Sequence, residues 1–307
     1  MTLLHSIIIS VLQGVSELFP VSSLGHAVLL PRLLHWGINE KSDTWLAFLV
    51  ALHIGTAVAL LVFFRDQWVG VVGALIRSVK RGQMSQDHDE RLAWMVIVGT
   101  APAGLVGLFL QQPLKSLFAS PAVAASFLIV NGVIMFAGER LLQRQYRESA
   151  AQPQAVSAGS VALARSEPAD SAPTLGRYRD ITQVGWRDAA IVGFAQVGAL
   201  IPGISRSGVT MVAGLAAGLT HEAAARYAFL LATPLILAAG LLEIPLLFQS
   251  GGRSVLGYAL LGMVLAGVAA YVSVRYLMQY FKEGRLNPFA YYCVVVGVGS
   301  LVLLTFT

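Results

Sequence analysis

The sequence predicts an all-α polytopic membrane protein with six transmembrane helices, two re-entrant helical hairpins and an inverted-topology repeat. Three observations lead there. Of the 307 residues 56% are hydrophobic and only 12% are charged, against roughly 25% charged in an ordinary soluble domain. Six apolar stretches reach the length of about 20 residues that a bilayer crossing needs. Two further apolar segments are interrupted by proline and polar residues.

In chain order, residues 1–34 form the first interrupted segment, broken at Phe19-Pro20-Val21-Ser22-Ser23. Its opening run, Met1 to Leu12, has no basic start and no small-residue cleavage site, so it is kept in the mature fold rather than read as a signal peptide. Spans follow near residues 44–64, 91–110 and 120–138. The second interrupted segment is 188–218, broken at Ile201-Pro202-Gly203-Ile204-Ser205, and spans near 223–248, 255–277 and 288–306 complete the chain. Each half of an interrupted segment is too short to cross. Non-helical backbone at membrane depth survives only where protein or a water-filled cavity satisfies it, so both segments are expected to enter the membrane and return to the same side.

Loop charges orient the chain. With both hairpins re-entrant, one face receives loops 65–91, 139–187, 218–226 and 275–287, which hold sixteen Lys or Arg, while the other face has four: Arg32, Lys41, Lys115 and Arg253. The positive-inside rule places the first set in the cytoplasm and both termini outside. Within loop 65–90, Gln67 to Val79 is read as a surface helix. Residues 139–187 are rich in Ala, Ser, Pro, Gln and Arg, with no helical apolar periodicity from about Gln152 to Thr182, and are expected to be a flexible cytoplasmic loop. It joins repeat halves of about 1–138 and 188–307 within a single integral membrane domain.

A net charge of +5 in a soluble protein would suggest nucleic acid, but here the basic residues lie between apolar spans and the bilayer accounts for them. No nucleic-acid partner is expected. The single cysteine, Cys293, excludes an intramolecular disulfide and a thiolate metal cluster; it is read as a small buried apolar residue.

Hairpins entering from opposite sides are what an inverted repeat predicts. At a constant offset of 183, Gln13 matches Gln196, Ser22 matches Ser205 and Gly25 matches Gly208; at 181, residues 47–60 match 228–241 at six of fourteen positions.

The polar residues of the breaks share one logic. Gln13 and Glu17 lie one turn apart on a common face, Pro20 ends the first half-helix, Ser22 or Ser23 is placed to cap the second, and His26 follows one turn later. The start of that second half-helix favours an anion through its dipole and unpaired N–H groups. The second break adds a cation, in Ser205-Arg206-Ser207-Gly208-Val209-Thr210. An arginine near mid-bilayer costs roughly 2.5 to 3.5 kcal/mol on insertion scales, and its planar fork of donors suits phosphate. Ser205, Ser207 and Thr210 add hydroxyls, and Gly203 allows close backbone approach. One carboxylate is a weak metal site alone, but Mg²⁺ or Ca²⁺ binds through one or two carboxylates plus substrate phosphates. His53 and Asn131 are expected to bond across helices, without a catalytic role.

These residues carry a resemblance. QGVSELFPVSSLGH, residues 13–26, resembles the glutamate-rich signature of the bacterial undecaprenyl-diphosphate phosphatase, or bacitracin-resistance, family, and PGISRSGVT, residues 202–210, resembles its second signature, PGxSRSxxT. The resemblance covers nearly the whole chain, apart from loop 139–187. It implies an enzyme of the bacterial inner membrane, in which the termini placed outside by the loop charges are periplasmic, that removes the terminal phosphate of a C55 isoprenyl diphosphate. The regenerated monophosphate serves peptidoglycan synthesis, and bacitracin resistance follows. The family's important positions fall on Glu17, Ser22, Ser23, His26, Ser205, Arg206, Ser207 and Thr210. An acidic position of the first signature is Gln13 here, which leaves Glu17 as that motif's sole carboxylate.

The roles expected are therefore catalytic for Glu17, Ser23, His26 and Arg206, substrate-binding for Gln13, Ser22, Gly203, Ser205, Ser207 and Thr210, and metal-binding for Glu17 with Mg²⁺ or Ca²⁺. Ser23 is the candidate nucleophile, with His26 or Glu17 taking its proton; in the competing version Glu17 and the metal activate a water. Partners are the lipid diphosphate and the bilayer, with a homodimer left open. A polyprenyl-phosphate flippase on the same repeat is the alternative. A type 2 phosphatidic acid phosphatase would need His at Val212 and Asp at Ala216.

Overall fold

A computed structural model describes residues 1–39, 42–85, 87–110, 120–151, 179–248 and 255–306. Among the described residues the chain is helical, with one isolated bridge between Arg179 and Leu219. Helices α1 (Leu3–Ser16) and α2 (Ser23–Leu33) form the first broken pair. Then come α3 (Asp43–Phe63), α4 (Arg65–Arg81), α5 (His88–Phe109) and α6 (Pro121–Ala151). The second broken pair is α7 (Trp186–Gly198) and α8 (Arg206–Ala216), followed by α9 (His221–Glu243), α10 (Leu256–Tyr280) and α11 (Asn287–Leu304).

Six helices among the described residues, α3, α5, α6, α9, α10 and α11, are long and apolar enough to cross a membrane. They coincide with the six spans read from sequence. The boundaries moved where local chemistry decides them. Helix α9 stops at Glu243, before Pro245, because proline has no N–H to continue the ladder. Helix α4 runs slightly beyond both ends of the expected surface helix and closes on Gly82 in the left-handed conformation, a common helix C-terminus.

The expected flexible loop 139–187 is ordered at both described ends. Helix α6 continues through it to Ala151. At the far end Arg179 makes a two-pronged ion pair with Asp188 at 2.8 and 2.9 Å, and a short 3-10 turn, Ile181–Gln183, leads into α7. Residues 152–178, together with Lys41, Lys115 and Arg253, lie outside the described residues.

The helices pack through small residues. A side chain at Gly14 would meet the Ala266 carbonyl at 2.3 Å, so α1 lies directly on α10; such close approach is how helices associate where lipid removes the hydrophobic drive. Helix α7 packs on α5 in turn, α3 on α10, α6 on α11, and α2 and α8 both reach α6. Buried Glu139 ties α6 to the start of α9, accepting from His221 at 3.0 Å, and to the start of α11 through the Leu286 N–H at 3.3 Å. Cys293 is fully buried on α11, as its surroundings in the sequence suggested.

Candidate active site

The two breaks meet inside the bundle, and α6 holds them together. The Asn131 amide nitrogen donates to the Pro20 carbonyl at 3.0 Å, and its oxygen accepts from the Ser205 N–H at 3.1 Å. Ser207 Oγ adds a direct tie, donating to the Phe19 carbonyl at 3.1 Å. Gly203 has φ +97°, and a Cβ there would stand 2.2 Å from the Ala124 carbonyl. Both facts require glycine. It lets the second break lie against α6.

Each break restarts its helix on a serine cap. Ser22 Oγ accepts from the Gly25 N–H at 3.3 Å and Ser205 Oγ accepts from the Gly208 N–H at 3.2 Å. Ser22 holds φ +66°, an uncommon conformation for a side-chain-bearing residue, of the kind that concentrates at functional sites. Because Ser207 donates to Phe19, Ser205 is the donor in their mutual contact at 3.0 Å. Thr210 donates back to the carbonyls of Arg206 and Ser207, at 2.7 and 3.2 Å. Ser22, Ser205, Ser207 and Thr210, all expected to bind substrate, are thus engaged in building the breaks.

Glu17 is the centre of what remains. Its Oε1 accepts from Arg206 Nη2 at 2.9 Å, an ion pair across the two breaks. Its Oε2 accepts from Gln13 Nε2 at 3.0 Å and from Ser23 Oγ at 2.5 Å. His53, midway along α3, brings Nε2 to 3.4 Å of the same oxygen while its Nδ1 contacts the Leu49 carbonyl at 2.8 Å. Glu17 is 8% exposed and Gln13 2%. A carboxylate so buried is held ionised only by close donors and an opposite charge, and the pair would be strongly destabilised by loss of either member.

His26 lies beside this cluster with both ring nitrogens occupied: Nδ1 against the Ser22 carbonyl at 2.7 Å and Nε2 against Tyr292 OH at 2.8 Å. Of the two bases considered for Ser23, Glu17 is the one its hydroxyl contacts. Gln13 supplies an oxygen as well: its amide nitrogen is fixed to Glu17, and its buried Oε1 has no hydrogen-bond partner among the described residues. A hard cation accepts amide and carboxylate oxygens together, so Gln13 and Glu17 fit Mg²⁺ or Ca²⁺. Among the described residues there is no group of three or more His, Cys, Asp or Glu placed to hold a metal, so other ligands would come from a bound phosphate or water.

Sequence reasoning gathered Glu17, Ser23, Gln13 and Arg206 correctly into one place and foresaw that His53 and Asn131 bond across helices. It did not foresee where they bond. Tyr292, 266 positions from His26 in the chain, carries no signal within an apolar helix.

A multi-pass helical membrane protein with a buried carboxylate, hydroxyl and guanidinium where two helix starts converge is the class that fold and site define. The chain belongs to the family described as bacitracin resistance protein BacA, whose model matches residues 6–299. It is 41% identical to Undecaprenyl-diphosphatase 2 of Frankia alni, over 97% of this chain and 96% of that protein. It is 45% identical to Undecaprenyl-diphosphatase of Mycolicibacterium paratuberculosis, over 98% and 96%. A third relative, Undecaprenyl-diphosphatase of Acidiphilium cryptum, is 42% identical over 100% and 99%.

Proposed function

We propose that the protein hydrolyses undecaprenyl diphosphate to undecaprenyl phosphate and phosphate, recycling the lipid carrier of peptidoglycan synthesis and so conferring bacitracin resistance. The observation that carries this reading beyond family membership is the buried chain Arg206–Glu17–Ser23, with contacts of 2.9 and 2.5 Å. It joins a phosphate-binding cation to a base and a nucleophile. Purified protein should release phosphate from a C55 diphosphate and Arg206→Ala should not; equal turnover by the two would overturn the site. Lipid movement without phosphate release would favour a flippase instead.

In the mechanism, the diphosphate competes with Glu17 for the Arg206 guanidinium. Arg206 then stabilises charge on the transferred phosphoryl group, the main lever in phosphoryl transfer. Ser23 Oγ attacks the terminal phosphorus and gives its proton to Glu17 Oε2, as the anhydride bond breaks and the lipid monophosphate leaves with the electron pair. Glu17 passes that proton to the departing monophosphate and, ionised again, takes a proton from the water that attacks the phosphoserine phosphorus; Ser23 Oγ leaves with the P–O electron pair and recovers a proton from Glu17 as phosphate is released. His53 steadies the carboxylate as it loses its contact with Arg206. His26, fixed by Tyr292, holds the Ser22 carbonyl and so the start of α2. Gln13 and Glu17 would hold Mg²⁺ or Ca²⁺, which when bound neutralises phosphate charge. Rapid-quench detection of phosphoserine at Ser23 tests the nucleophile, and wild-type turnover by Ser23→Ala would assign Glu17 to water activation.

The proposal extends to topology: two re-entrant hairpins entering from opposite sides, halves 1–138 and 188–307 related as an inverted repeat, and both termini periplasmic in the inner membrane. Helix pairing supports it, since α1 packs on α10 as α7 packs on α5, the exchange that a two-fold axis in the membrane plane produces. A single cysteine at Thr2, in a Cys293→Ala background, should react with an impermeant thiol reagent added from outside.

A further inference from the structure

A second anion-directed site lies away from the breaks, between the C-terminal ends of α3 and α10 and the start of α9. A cavity of about 260 Å³ there has Phe63, Phe64 and Met278 for its apolar wall and Arg226, Arg275 and Lys282 for its polar one. Glu222 is the acid among its lining residues and faces Arg226 one turn along α9 at 3.4 Å. Arg275 and Lys282 have no acidic partner within ion-pair distance among the described residues. Three cations, Arg226 on α9, Arg275 on α10 and Lys282 in the turn that follows α10, face one acid and leave an excess of positive charge beside the aromatic wall.

Depth argues for what fills it. His53 at the active site and Phe63 at the cavity are both on α3, and ten residues of helix separate them by about 15 Å. That is half the roughly 30 Å hydrocarbon thickness, so a cavity at the end of the span sits at headgroup level when the active site is near mid-membrane. Helix α4 marks the same level independently. It leaves the corner at Phe64 with two apolar stripes, one buried (Val71, Ala74) and one exposed (Val69, Val72, Ile76, Val79, with Val69 76% exposed). A helix with an exposed apolar stripe beside basic residues lies in the plane of the interface. Below the cavity, Val268 and Val272 of α10 are 60% and 62% exposed on the face that continues from Arg275, a path for acyl chains.

We propose that this cavity binds the phosphate of an anionic glycerophospholipid, with the headgroup among Arg226, Arg275 and Lys282 and the chains along α10. Basic pockets between membrane helices favour such headgroups, at about 1 kcal/mol per Lys or Arg near the surface. The site is distinct from the catalytic cluster and shares no residue with it.

The test is native mass spectrometry of the full chain in detergent, titrated with phosphatidylglycerol, phosphatidylethanolamine or glycerol phosphate. Arg275→Ala/Lys282→Ala should weaken the first phosphatidylglycerol adduct about 30-fold, near fivefold for each cation removed, while Lys80→Ala/Arg144→Ala, an equal charge loss elsewhere, leaves it unchanged. Lys282→Glu alone should act in the same direction and guards against misfolding of the double variant. Equal loss in both double variants, or none in either, overturns the site. Binding of phosphatidylethanolamine or glycerol phosphate as tightly as phosphatidylglycerol overturns the lipid assignment.

Discussion

The two helix breaks are built alike and equipped differently. In both, a serine caps the second helix by accepting from a glycine N–H three residues on, at 3.3 Å in the first and 3.2 Å in the second. In both, one residue with positive φ turns the chain, Ser22 at 66° and Gly203 at 97°. The chemistry does not repeat. At the offset of 183 that aligns the caps, Glu17 stands opposite Leu200, Ser23 opposite Arg206 and His26 opposite Val209. Anchoring is therefore duplicated, while the carboxylate and the guanidinium are divided between the breaks and become a pair only where Asn131 joins them. The site thus needs both breaks in place, since neither carries the carboxylate and the guanidinium together.

The comparison is broken most severely at the ion pair. Arg206→Ala should lower kcat/KM for phosphate release by about 10³-fold, the lower range for an arginine acting on a transferred phosphoryl group. It should also destabilise the protein by about 3 kcal/mol, because Glu17 is left buried without its cation. Adding Glu17→Gln to that variant should recover melting temperature in detergent without recovering turnover. Recovery of both would mean that Arg206 serves only to neutralise the carboxylate. Glu17→Gln alone should cost about 10²-fold in kcat, the lower range for loss of a general base, and near-wild-type turnover would shift the chemistry to the second break.

Smaller effects sharpen the structural half of the comparison. Gly203→Ala should cost about 3 kcal/mol through the collision with Ala124 and an unsuitable φ. Gly25→Ala, whose Cβ would stand 3.2 Å from Ser22 Oγ and 3.3 Å from Gly203 Cα, should cost about 1 kcal/mol. Thermal unfolding in detergent measures both, and equal losses would show that the second break does not rest on α6. Most alike should be the caps: Ser22→Ala and Ser205→Ala should each cost about 1 kcal/mol, and a several-fold inequality would end the equivalence of the two breaks.

Much of this was legible in the chain. Hydrophobic length gave the six spans, because a bilayer crossing demands a long apolar run whatever the tertiary contacts. Pro20 and Pro202 with their following serines gave the breaks and their caps, since these are local backbone effects. Four residues expected at the site, Gln13, Glu17, Ser23 and Arg206, do lie together. The chain did not show that Ser205, Ser207 and Thr210 also tie the second break together, because a hydroxyl near a site reads the same in sequence whether it faces a ligand or a neighbouring carbonyl. The ordered ends of loop 139–187 were hidden for a related reason, as Arg179 finds Asp188 and Glu139 finds His221 only in three dimensions.

Composition and local pattern were enough to show a helical membrane protein, where its helices break, and which few polar residues were placed where burial demands a partner. Those follow from composition and from interactions within about one helical turn. Only the tertiary structure decided which partner each one has: Glu17 with Arg206, Ser23 and His53, His26 with Tyr292, and Asn131 with both breaks. Apart from Glu17–Ser23, six residues apart across one break, these contacts join helices distant in the chain, and their geometry is set by close packing of small residues that apolar patterning does not specify.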